Sequence, residues 1–168
     1  MKTLQYIALI LTALALVPGG AHLMSMLAKI DMPEQPYFVA QQIYRGWAWA
    51  GVAIIAALLA NLGSALLARQ FPRQFCLSLA AALLVAASLA VFFAWTYPAN
   101  QATGNWTSIP DGWEQLRTQW EYSHAAGAIL MFAALLCSAG AAISSAVPSS
   151  LSEHPSRGDS IRGTTRGA

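Results

Sequence analysis

Apolar and polar positions fall in long blocks along this chain. Four apolar runs stand out, about Leu4 to Ala28, Gly46 to Ala68, Phe75 to Tyr97 and His124 to Val147. Each reaches the roughly 20 residues that a helix needs to cross a hydrocarbon core. None has the period-2 alternation of a barrel strand, and backbone groups in lipid must be satisfied within the segment. The pattern therefore predicts an all-α protein, a four-transmembrane-helix antiparallel bundle over residues 1–147. From Pro148 to Ala168 the chain is rich in Ser, Gly, Arg and Thr without apolar periodicity, which reads as a disordered cytoplasmic tail. In the first run, Pro18-Gly19-Gly20 interrupts the apolar pattern before Leu23, Met24, Met26 and Leu27 resume it, giving a full span with a kink. The alternative is a signal peptide, with Lys2 before a Tyr6–Val17 core and Gly19 and Ala21 at the cleavage site.

The connections differ in kind. Arg69 to Gln74 is short, basic and contains Pro72, so spans two and three form a hairpin. Residues 29–45 begin with the turn-like Asp31-Met32-Pro33-Glu34-Gln35-Pro36. Tyr37, Gln41, Tyr44 and Arg45 then recur at helical spacing, predicting a helix from Tyr37 to Trp49 that runs straight into span two. After Pro98 an irregular stretch from Asn100 to Ile109 leads to a Pro110-Asp111-Gly112 turn and a further helix. Arg117, Trp120, Glu121 and His124 share one face of that helix, continuous with span four. Together these segments predict a helical and irregular cap over one end of the bundle.

Composition agrees with the pattern. With 57% hydrophobic and 10% charged residues in 168, the chain is far from the roughly 25% charge of soluble domains. Lys2, Arg69, Arg73, Arg157, Arg162 and Arg166 fall on one side of the predicted bundle, against Lys29, Arg45 and Arg117 on the other. The bias predicts cytoplasmic termini and an extracytoplasmic cap. All six tryptophans, Trp47, Trp49, Trp95, Trp106, Trp113 and Trp120, gather on the cap side. Ordinary aromatic anchoring populates both interfaces, so the cap is where function is sought. Cys76 and Cys137 belong to no paired motif and read as small hydrophobes. Nothing in the chain resembles a phosphate loop or a nucleic-acid signature.

The candidate chemistry lies in the cap. His22 and His124 both fall near the outer end of the bundle, where ionisable groups point inward to a partner or a wet cavity. The pair offers a haem-binding alternative, and Glu121-Tyr122-Ser123-His124 has the Glu-x-x-His spacing of di-iron bundles. No second carboxylate pair exists in the spans, so no metal set is assigned and no cofactor is expected. Arg45 and Arg117 either snorkel, pair with Glu121 or Glu34, or hold a ligand carboxylate or phenolate. Asn100 and Asn105 flank the irregular segment beside Trp106 and either cap turns or donate to a ligand oxyanion. Asn105-Trp106-Thr107 also fits the glycosylation sequon. Asn61, inside span two, predicts an interhelical hydrogen bond. The span middles are nearly all Ala, Leu, Val and Ile, which leaves no polar path for a transported solute.

Pro98-Ala99-Asn100, Trp106, Leu116-Arg117, Trp120 and His124 before an Ala-rich span resemble the anthrone-oxygenase-like family of small four-helix membrane proteins. The Gly-Ala-His22 segment and Gln41-Gln42-Ile43-Tyr44-Arg45-Gly46-Trp47 look like one bacterial branch of it, so the resemblance spans roughly residues 15–140 and implies residence in a bacterial inner membrane. It implies cofactor-independent oxygenation, in which a base deprotonates an anthrone-like carbon and the delocalised carbanion reacts with O₂. His124 would be the base, Arg117 and Asn100 would stabilise the oxyanion, and Trp106 and Trp120 would wall the pocket. His22, Tyr44, Arg45, Asn105 and Glu121 complete the expected ligand-binding set. At one position the chain departs from the family, with Gly127 where an Arg often follows this histidine by three residues. The competing reading is a non-catalytic subunit that docks a membrane partner or a second copy through Trp113 and its neighbours.

Overall fold

A computed structural model describes residues 1–146. Every element among the described residues is helical. The long helices are α1 (Lys2–Lys29), α3 (Ala50–Leu67), α4 (Pro72–Val91) and α6 (Trp113–Ala146), joined through the short α2 (Glu34–Gln41) and α5 (Tyr97–Ala102). Four segments, Lys2–Lys29, Trp47–Leu67, Pro72–Ala102 and Trp113–Ser144, are long and apolar enough to cross a membrane, the mark of a multi-pass membrane protein. The tail from Pro148, with Arg157, Arg162 and Arg166, lies outside the described residues.

The long helices close a ring of contacts: α1 packs on α3 and α6, and α4 packs on α3 and α6. Small residues let the backbones approach. Ala15, Ala57, Val85, Met131 and Ala134 form the central core, and Gly19 lies so close to Ala128 that an added Cβ would sit 3.5 Å from it. Across the helices Leu4 meets Gly63, Leu77 meets Gly140 and Ser88 meets Gly127. Asn61 Nδ2 donates to Thr12 Oγ1 at 2.9 Å, the interhelical bond expected of it. Large apolar side chains such as Met24, Leu27, Leu59 and Ile143 point outward.

The backbone departs from the expected elements at two places. The segment from Tyr37 to Trp49 is not one helix. After α2 the chain makes a 3₁₀ turn over Gln42–Tyr44, extends at Arg45, reverses at Gly46 with φ 86° and makes a second turn over Trp47–Trp49. Gly46 has no Cβ to oppose that left-handed conformation. The third apolar helix also continues beyond Tyr97. A π-helical turn over Phe92–Thr96 links α4 to α5, with Tyr97 N–H donating to the Phe92 carbonyl. Widened turns of this kind absorb a local mismatch in the helical ladder, and Pro98 follows immediately. The Trp95 carbonyl accepts from Gln119 Nε2 at 2.7 Å. The first span matches its expectation in length, since α1 continues through Pro18-Gly19-Gly20 to Lys29.

Candidate functional site

A left-handed turn builds one wall of the site. Gly104, Asn105 and Trp106 have φ of 56°, 56° and 63°, a costly conformation for a tryptophan. Several hydrogen bonds hold it. Asn105 N–H donates to the Asn100 carbonyl at 2.7 Å, Trp106 N–H to Thr103 Oγ1 at 3.1 Å, and Gln42 Nε2 to the Trp106 carbonyl at 3.0 Å. The turn drives the Trp106 indole into a cluster with Tyr37, Phe38, Ala99, Trp113 and Trp120. There both Trp106 Nε1 (3.2 Å) and Trp120 Nε1 (2.8 Å) donate to Asn100 Oδ1. Two donors converging on one atom fix the orientation of this amide. Its NH₂ group is thereby left for the cavity that Asn100 lines.

Beneath the turn lies a buried ion pair. Lys29 Nζ is 2.9 Å from Glu121 Oε1, with both side chains almost wholly out of solvent. The ammonium also lies over the rings of Tyr44 (4.7 Å) and Trp120 (4.9 Å). Tyr37 donates its hydroxyl to Glu121 Oε1 at 3.1 Å and accepts from Gln41 Nε2. Burial and the Glu121 carboxylate push the Tyr37 phenol above the ordinary tyrosine range, so it stays protonated as a donor. Arg117 lies over Trp113 and Tyr37 and donates from Nη1 to the Met32 carbonyl at 2.6 Å. It ties α6 to the turn before α2.

The cavity itself, of about 750 Å³, lies between α1, α3, α4 and α6 under the outer turns. His22 and His124 meet on its wall with ring centres 4.1 Å apart. His22 also touches Tyr44 (4.2 Å), Trp120 (4.8 Å) and Trp47 (5.6 Å), and its buried Nδ1 makes no hydrogen bond among the described residues. The His124 ring packs on Trp120 at 4.0 Å. His124 Nδ1 lies 3.0 Å from the Trp120 carbonyl. A carbonyl only accepts, so Nδ1 carries the proton and a neutral His124 presents a bare Nε2 lone pair. A metal–imidazole bond is about 2 Å, so an iron bracketed by two histidines holds the ring centres much farther apart than 4.1 Å. The observed contact does not bracket one. No third His, Cys, Asp or Glu joins the pair in a metal-holding group among the described residues.

Of the residues singled out from sequence, His22, Tyr44, Arg45, Asn100, Asn105, Trp106, Trp120 and His124 all line the cavity. Arg117 and Glu121 do not. They lie behind Trp120 in the ion-pair cluster, and the partner of Glu121 is Lys29 rather than either arginine. Arg45 reaches Gln42 Oε1 at 2.7 Å on the exposed rim. Trp47 lines the cavity against His22, whereas Trp49 and Trp95 are exposed. Trp113 is buried against Phe38 and Arg117. Lys29, Gln41 and the Thr96–Ser123 hydroxyl pair at 2.6 Å were not anticipated. A lysine at the end of an apolar run looks like an interfacial charge until a carboxylate some 90 positions away is known to face it. In comparisons with protein-family models, curated proteins and solved structures, nothing matches this chain.

Proposed function

We propose that this chain is an antiparallel four-helix protein of a bacterial cytoplasmic membrane. In this reading both termini face the cytoplasm, and the outer cavity binds a flat aromatic molecule and oxygenates it without a cofactor. One observation carries this reading: His22, His124 and Asn100 converge on a cavity whose remaining walls are largely aromatic and aliphatic. Such a lining is the usual form of a small-molecule site. The residue pairings between early positions of one helix and late positions of the next support the antiparallel arrangement. Sequestering Lys29 with Glu121 removes one of three basic residues from the outer face, which sharpens the charge bias that sets orientation.

In this proposal the bare Nε2 of His124 takes a proton from a ring carbon flanked by a carbonyl. Charge then spreads onto the carbonyl oxygen, where the Asn100 NH₂ donates to it. The carbanion adds O₂ at that carbon, the His124 imidazolium returns its proton to the peroxide, and loss of water from the hydroperoxide leaves a second ring carbonyl. Arg117 acts here as a clamp on the cap instead of touching the oxyanion. The test is oxygen uptake by purified protein with 1,8-dihydroxyanthrone. Wild type should exceed the uncatalysed rate, His124→Ala and Asn100→Asp should lose at least tenfold, and Arg117→Lys should retain activity while the cap stays folded. Uptake no faster than in protein-free micelles would sink the reading.

A further inference from the structure

The cavity rim has two parts of opposite character. At the outer turns it is formed by Arg45, Asn105 and Thr107, all exposed and polar. The second part lies on α3 and the π-helical turn, where Ile55 (47% exposed) and Phe93 (60%) both line the cavity and face outward. Ile55 is five residues into α3, roughly 7 Å below its start at 1.5 Å per residue. The exposed rings of Trp49, Trp95 and Tyr97 mark an interfacial level. Ile55 and Phe93 lie on the inner side of that level along their helices. Deeper down α3 and α4 are closed together by Ala57 and Val85. Above that seam the π-helical turn packs on α6. The polar groups sit across the ring from this opening: His22 belongs to α1, His124 to α6, and Asn100 is tied to Trp120 of α6.

We infer that the ligand enters sideways from the bilayer between α3 and α4 and is a lipid-dissolved ring compound carrying an alkyl chain. The inference rests on the small-molecule reading of the cavity and names its substrate class. The ring's polar edge meets the histidines and Asn100, with one group to donate to His124 Nε2 and one to accept from the Asn100 amide. The chain leaves past Ile55 and Phe93 into lipid. A neutral ring with one donor and one acceptor satisfies this wall, whereas a charged, water-soluble ligand has no reason to use an apolar opening.

The probes are 2-heptyl-4-quinolone, which carries a ring N–H, a carbonyl and a chain, and chain-free 4-quinolone. Binding is followed by the quinolone's own fluorescence with the protein in nanodiscs, corrected for partition into empty discs. The chain-bearing probe should bind at least tenfold more tightly. Ile55→Trp and, at the cavity-lining glycine one turn above it on α3, Gly51→Phe should each slow its association at least fivefold and leave the chain-free probe unaffected, whereas Thr107→Trp on the polar rim should do the reverse. Melting curves of each variant show whether the fold is kept, and the Thr107 variant tests the route without altering the α3 opening. If both probes bind equally and respond to Thr107→Trp alone, sideways access is overturned and the pocket stands. If neither binds to wild type, or His22→Ala and His124→Ala leave both unaffected, the pocket itself is overturned.

Discussion

Breaking the Lys29–Glu121 pair tests how the cap is held. Lys29→Met leaves the Glu121 carboxylate buried with the Tyr37 hydroxyl as its one remaining hydrogen-bond partner among the described residues. Removing one partner of a buried pair typically costs about 3–5 kcal/mol. Two cation–π contacts at 4.7 and 4.9 Å are lost as well, at about 0.5–2 kcal/mol each. Methionine packing against Tyr44 and Trp120 returns about 1–3 kcal/mol of apolar burial. The net expectation is a loss of about 3–5 kcal/mol. Glu121→Gln keeps an acceptor for Tyr37 but strands the ammonium, with a loss of similar size. The double variant Lys29→Met/Glu121→Gln buries no charge at all. It should recover to within about 2 kcal/mol of wild type, giving a coupling of at least about 4 kcal/mol. Unfolding in mixed micelles, read by tryptophan fluorescence, measures all four corners because Trp106, Trp113 and Trp120 sit in or beside the cluster. A coupling below about 0.5 kcal/mol would show that the two charges do not share a buried environment.

Other substitutions probe the neighbouring parts. Asn100→Leu strands two indole N–H groups and should cost about 2–5 kcal/mol, whereas Asn100→Asp keeps the acceptor. The aspartate variant should stay folded yet bind 2-heptyl-4-quinolone at least tenfold more weakly in the fluorescence titration. At Asn105, φ 56° penalises branched residues, so Asn105→Val should destabilise by about 1–2 kcal/mol and Asn105→Gly by no more than a few tenths, as read from unfolding midpoints. Tyr37 has its ionisation pushed upward in the folded state. Its unfolded form therefore loses a proton first, and stability falls as pH rises above the ordinary tyrosine value of about 10, by about 1.4 kcal/mol per pH unit. Below that pH this contribution is fully present. Tyr37→Phe should flatten the slope between pH 10 and 11, and an unchanged slope would refute the assignment.

Much of this molecule is legible from its sequence because lipid imposes a local rule. A run of about 20 apolar residues can be satisfied only as a helix, so the four long segments follow from composition alone. The i, i+3, i+4, i+7 spacing likewise places Arg117, Trp120, Glu121 and His124 on one helix face before any neighbour is known. That rule does not say what the face meets. Trp120 and His124 turn to the cavity, whereas Arg117 and Glu121 turn to the turn before α2 and to Lys29. The turns are harder still: Gly46 signals a reversal by its type, but the left-handed run through Trp106 is stable only because Asn100, Thr103 and Gln42 hold it.

The sequence by itself determined the number of long helices, their apolar lipid-facing surfaces and the concentration of rings and amides at one end. Periodicity and hydropathy are properties of a segment and need no partner. Only the tertiary structure decided that His22 and His124 touch, that one amide oxygen serves two indoles, that Lys29 is an interior ion-pair partner, and that the cavity has an apolar side. Each of these depends on which helices are neighbours and at what register, and such pairings between residues distant in the chain leave no mark on the pattern of either segment.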